Sequence, residues 1–286
     1  MLSLSLVQTI KVVAKKEIHE LLKTKRLVII GLLGLVSVLI VAIIHGYVLK
    51  SELVEMVNTA EFGIVTGIFG GILAIVLGYD SIAGEKCQKT LILLLSQPIE
   101  KDAIFYGKFV SRLVAIAIVF FPIVSLGIVV QVALSGNWPA LGDVGRVYLH
   151  FLAMFFGALC WLAFTFLFSS FIKTPAICLI VVILIFMMVL PMLSGILYFT
   201  LMEEEIAHMW ETGEPMEYFP WYAKLALVLD PMFGTRSLSA AIFNVPFGAG
   251  DPGAVFSVTE ALVQLTTFFL LSSVIGIVLF RRSEPE

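Results

Sequence analysis

Residues 27–49 read LVIIGLLGLVSVLIVAIIHGYVL, an apolar run with no Asp, Glu, Lys or Arg. A helix rises about 1.5 Å per residue, so roughly 20 such residues cross the hydrocarbon core of a bilayer. Charge-free runs recur at 62–79, 113–142, 147–172, 174–202 and 261–280. The runs are apolar on every side rather than alternating, and lipid demands that each backbone polar group be satisfied within its own segment. The sequence therefore predicts an all-α integral membrane protein. Six transmembrane helices are expected at about 27–49, 62–79, 110–134, 147–172, 175–201 and 259–280. The first run is too long for a signal peptide and no small-residue cleavage site follows it, so the N terminus is expected to be retained.

Composition agrees. Hydrophobic residues make up 60% of the 286 and charged residues 14%, with a mean hydropathy of +1.05. Soluble chains carry about 25% charged residues, which they need to cover their surface. Collagen, disordered tails, disulfide scaffolds and basic nucleic-acid binders are excluded, so no nucleic-acid partner is expected; the partner of most of the chain is the lipid bilayer. Of the three cysteines, Cys160 and Cys178 lie in apolar runs and Cys87 fits no metal-binding spacing.

Lysine and arginine set the expected orientation. With the N terminus in the cytoplasm, the cytoplasmic side holds six basic residues before the first run and five between the second and third. Lys173, Arg281 and Arg282 complete that set, and only Lys50, Arg146, Lys224 and Arg236 fall outside. Both termini are thus expected in the cytoplasm of a multi-pass protein of the cell membrane.

Ahead of the first span, residues 7–24 place Val7, Ile10, Ala14, Ile18 and Leu21 on one helical face and mostly lysines on the other, the pattern of an interfacial helix. Gly63, Gly67 and Gly71 recur every fourth residue along the second span. Such spacing serves close helix packing, within one subunit or at a dimer seam. The segment 203–258, expected outside the cell, starts with three glutamates and is broken by prolines. Two short helices are expected there, at about 202–212 and 220–229, and the uncharged stretch 237–250 reads as an interfacial or re-entrant piece. Glu204, His208 and Met209 are the candidate metal ligands. The same spacing is that of a solvated helix face, and no metal is expected.

Catalytic signatures are absent. The sequence contains no G-x-x-x-x-G-K-[ST] phosphate loop, G-x-S-x-G, H-E-x-x-H or C-x-x-C. The apolar runs also lack the ionisable relays common in ion-coupled transporters. What remains is the loop 80–108, where the apolar ridge 90–95 is flanked by charges and stopped by Pro98. An apolar ridge on a charged loop suits insertion into a groove on a partner.

That loop resembles the signature of ABC-2 type transporter permeases, D-x-I-x-x-E-x-x-x-G-T-L-x-x-L-L-x-x-P-[IL]-x-R-x-x-I-x-x-G-K-F. Asp80, Ile82, Glu85, Thr90, Leu91, Leu94, Leu95, Pro98, Ile99, Ile104, Gly107, Lys108 and Phe109 fit it. Lys89 stands where glycine is usual, and Lys101 where arginine is common. Residues 14–26 and the L-V-L-D-P at 227–231 are also similar to these permeases. Within the family, Y-D-S-I-A-G-E is most similar to permeases associated with copper-enzyme maturation. The resemblance implies a permease subunit, an exporter that dimerises with a second copy or a close relative. Two copies of a separate ABC ATPase would carry ATP and Mg, leaving no cofactor in this chain. Asp80, Glu85, Lys86, Thr90, Leu91, Leu94, Leu95, Pro98 and Lys108 would couple the two. The rival readings are an ATP-independent secondary transporter or channel, and a membrane anchor that only recruits an ATPase.

Overall fold

The computed structural model describes residues 6–58, 60–90, 100–212, 220–244 and 255–282, and every regular element among them is a helix. Six helical stretches are long and apolar enough to cross a membrane: Lys25–Val48, Phe62–Cys87, Lys101–Ser135, Leu141–Phe171, Pro175–Leu201 and Val258–Arg282. The fourth is the hub. Its apolar centre is 61% buried against 17% for the fifth, and the second span, the sixth span and helix Pro231–Ile242 all pack along it. The fifth span sits at the rim, with Met187, Met192, Ile196 and Phe199 exposed.

Small residues set how closely these helices approach, as expected where lipid competes with every apolar contact. A Cβ on Gly71 would lie 2.5 Å from the ring of Phe186, so this position demands glycine. Gly67 meets only Met154 and Met232 at ordinary contact distance, and Gly63 faces open space. Within the expected glycine row, close approach thus falls on one member; elsewhere the absent side chain of Gly34, for example, admits Phe69. Two spans contain a widened π-turn, at Ile44–Val48 and Ile185–Val189. The second has a cause in the sequence. Pro191 follows it, and a proline ring clashes with the carbonyl four residues back, here that of Met187 inside the widened turn. Pro175 opens its helix, where its missing N–H costs nothing, and the third span continues unbroken through Pro122.

Two helix starts and one additional helix differ from the sequence reading. The third helix starts at Lys101 and not near 110, so the end of the expected loop 80–108 is helical. Charged side chains are tolerated there because they are paired: Asp102 accepts from Arg281, and Lys108 is neutralised within the bundle. The fourth helix likewise begins at Leu141 and not near 147, carrying Asp143 and Arg146 in its first turns. In the segment 203–258, helices Glu203–Thr212 and Trp221–Leu227 match the two expected. A third, Pro231–Ile242, was not expected; it absorbs the start of the stretch read as an interfacial piece, while 245–250 lie outside the described residues.

Helix Pro231–Ile242 is held by two polar side chains. Gln264 of the sixth span donates through Nε2 to the carbonyls of Leu227, Val228 and Asp230, at 3.2, 2.9 and 3.0 Å. Asp230 caps the helix, accepting from Met232 N at 2.9 Å. Burial pushes its carboxyl up to about 6, against the lowering effects of that hydrogen bond and of Arg236. Because the folded value lies above the unfolded one, the neutral form favours folding, and stability is lost as pH rises from about 4 through 6. The melting temperature in detergent should fall across that window. Asp230→Asn, which keeps an acceptor for the cap, should flatten the fall; an unchanged slope would exclude Asp230 as its source.

Candidate functional site

At the end of the bundle where the second span stops and the third begins, four ionisable side chains meet. Glu17 comes from the N-terminal helix Leu6–Leu22, Glu85 from the short helix Ala83–Cys87, and Lys108 and Arg112 from the third span. Their side chains retain 12, 19, 4 and 7% of their exposure. Lys108 Nζ donates to Glu17 Oε1 at 2.8 Å and to Glu85 Oε1 at 2.6 Å. Arg112 Nη1 donates to Glu17 Oε2 at 2.6 Å, and its Nε to the carbonyl of Leu77 at 3.1 Å. Lys108 and Arg112 are one turn apart on one face, where like charges repel. Glu17 gives one carboxylate oxygen to each and removes that repulsion.

The N-terminal helix reaches this position because Ala14 and Leu21 bury against the third span, and Val13 fits where Gly107 has no side chain. Its lysines, Lys11, Lys15, Lys16 and Lys23, are exposed. Burial alone pushes the Glu17 carboxyl up, but the charges and hydrogen bonds of Lys108 and Arg112 outweigh it and hold it below the ordinary value. By linkage its contribution to stability is present above the usual glutamate range and lost as pH falls below it.

Flanking contacts tie the rest of the segment down. Asp80 pairs with Arg26 of the first span, whose guanidinium lies 5.6 Å over the ring of Tyr79. Ser169 of the fourth span stitches the turn after the second span. Its Oγ accepts from Ile82 N and Ala83 N, at 3.1 and 3.0 Å, and donates to Tyr79 O at 3.1 Å. Lys86 donates to the carbonyl of Ser170. Thr90 Oγ1 lies 3.4 Å from Glu85 O. At the far side Arg281, near the end of the sixth span, grips Asp102 through Nε at 2.7 Å and through a second nitrogen. Of the residues singled out for coupling, Glu85, Lys86 and Lys108 therefore point into the bundle, and Asp80 engages the first span through an exposed pair with Arg26. Leu91, Leu94, Leu95 and Pro98 lie outside the described residues.

Lys89 explains a sequence departure. Its φ is 57°, in the left-handed region, as a residue ending a helix often is, and there glycine carries no Cβ penalty. The usual glycine at this position thus has a local backbone reason.

Residues 11–284 match the family described as ABC-2 family transporter protein. The chain belongs to the ABC-2 transporter family. It is a multi-pass membrane protein and a permease subunit of an ABC transporter, a family of membrane subunits that work with an ABC ATPase. No curated protein matches the chain.

Sequence reasoning missed Glu17 and Arg112 as members of this cluster. The signal for Glu17 was present: with Ile10, Ala14 and Leu21 it forms one stripe at intervals of three and four, an acid on the apolar face of its helix. Glu204 and His208, weighed as metal ligands, are exposed on helix Glu203–Thr212, and the Met209 side chain lies outside the description. Among the described residues no three His, Cys, Asp or Glu side chains are grouped to hold a metal ion.

Breaking a buried ion pair by removing one partner costs about 3–5 kcal/mol, because the other charge is left uncompensated. Glu17→Gln should therefore destabilise the chain by roughly that amount in thermal unfolding. Adding Arg112→Met should recover part of the loss. Strict additivity of the two substitutions would mean that the pair does not interact.

Proposed function

We propose that this chain is the membrane half of an ATP-driven exporter. A second copy completes the transport path, and two ABC ATPase subunits, which hold ATP and Mg, dock on the loop 80–108 from the cytoplasm. The excess of basic residues at the end carrying the charge cluster supports that orientation.

The observation that carries this reading is the four-residue cluster. The docking ridge Leu91, Leu94 and Leu95 lies a few residues after helix Ala83–Cys87 in the sequence, and Glu85 of that helix is bonded to Lys108. A push that reaches helix Ala83–Cys87 passes from Glu85 to Lys108 in the third span and on to Glu17 in the N-terminal helix. The Asp80–Arg26 and Asp102–Arg281 pairs carry the same displacement into the first and sixth spans. The ridge binds the ATPase, and the charges transmit its movement.

Binding and transmission should therefore separate by mutation. When the chain is co-expressed with an ABC ATPase from the same genome, replacing Leu94 and Leu95 by Asp should abolish co-purification. Lys108→Met should retain the ATPase yet lose most of the ATP-dependent change in the accessibility of cysteines placed along the third span. If the intact chain captures no ATPase, or transports without ATP, the reading fails.

A further inference from the structure

At the opposite end of the bundle a cavity of about 410 Å³ lies between the second span, the fifth span and helix Pro231–Ile242. Ile64 and Ile68 line one side, and Met187 and Phe199, both exposed at the rim of the bundle, line another. The opening is therefore toward the surrounding lipid. Phe186 closes the inner side, its ring packed against Trp161 at 4.6 Å between centroids. The volume falls in the range of small-molecule sites, roughly 300–1,000 Å³, and the pattern is theirs too: apolar walls with a few polar groups gathered in one place.

Those polar groups are Asp230 and Arg236. Both line the cavity, from the first residues and the middle of one helix. Asp230 is buried and uses one carboxylate oxygen on Met232 N. Arg236 is half-buried, and among the described residues no carboxylate pairs with it. The cavity thus presents an acid and a base that are not closed on each other, beside apolar walls open to lipid. A purely cationic head would meet Arg236 and a purely anionic head would meet Asp230. A head with both charges satisfies both, as opposite charges must be where water is scarce. We infer that this cavity binds a zwitterionic amphiphile, its apolar tail against Ile64, Ile68 and Phe199 and its head between Asp230 and Arg236. The site rests on this chain alone and does not depend on any ATPase.

Three probes with one tail and different heads test this: dodecylphosphocholine, dodecyl phosphate and dodecyltrimethylammonium, each titrated into the full chain in maltoside micelles and read by native mass spectrometry. The phosphocholine probe should bind about tenfold more tightly than either probe whose head carries one sign of charge, the ratio of one good ionic contact. Gly195 lines the cavity and a Cβ there meets nothing within 4 Å. Gly195→Leu should therefore fill the space without disturbing the fold and weaken all three probes. Arg236→Gln should shift preference toward the cationic probe, and Asp230→Asn, which keeps its cap, toward the anionic one. Equal affinity for the three heads would overturn the inference, as would a Gly195→Leu chain that binds as before.

Discussion

Lys108 and Arg112 lie one helical turn apart on a buried face, where a charge left without a carboxylate in contact is costly. The requirement organises one whole end of the molecule. Glu17 must come from the N-terminal helix and Glu85 from the segment after the second span, so two elements distant in sequence are locked to the third span. An apolar contact would let these helices slide. A bidentate acid between two bases fixes their register, because a shift of one residue would leave charges buried and alone.

The proposed coupling rests on where that lock sits. It joins the segment that carries the family signature to the bundle, and the Asp80–Arg26 and Asp102–Arg281 pairs frame the same segment on either side. The opposite end is built differently. There a widened turn before Pro191, a capped helix and a cavity with one acid and one base give room where the other end gives rigidity.

The spans were legible in the sequence because crossing lipid leaves a signal in one dimension: runs without charge. Their ends were less so, since pairing in three dimensions lets charged residues enter a helix. The third helix gains its first turns because Asp102 finds Arg281 and Lys108 finds Glu85 and Glu17, partners 179, 23 and 91 residues away. Helix Pro231–Ile242 escaped notice because its stability comes from Gln264 and from burial against the fourth and sixth spans rather than from local pattern. The signature loop was recognised as a unit, but the inward direction of Glu85, Lys86 and Lys108 was not. An alternating list of charges does not say which of them face water. Glu17 was the exception that pattern alone could have found, an acid set in an apolar stripe.

Lys108 is the shared counter-ion holding both the N-terminal helix and the helix after the second span. Amide hydrogen exchange on the Lys108→Met chain in lipid nanodiscs tests it most directly, since it reads opening segment by segment. Protection should fall together in Leu6–Leu22 and Ala83–Cys87, neither of which contains the substitution. Loss confined to the third span around residue 108, with both helices as protected as before, would contradict it.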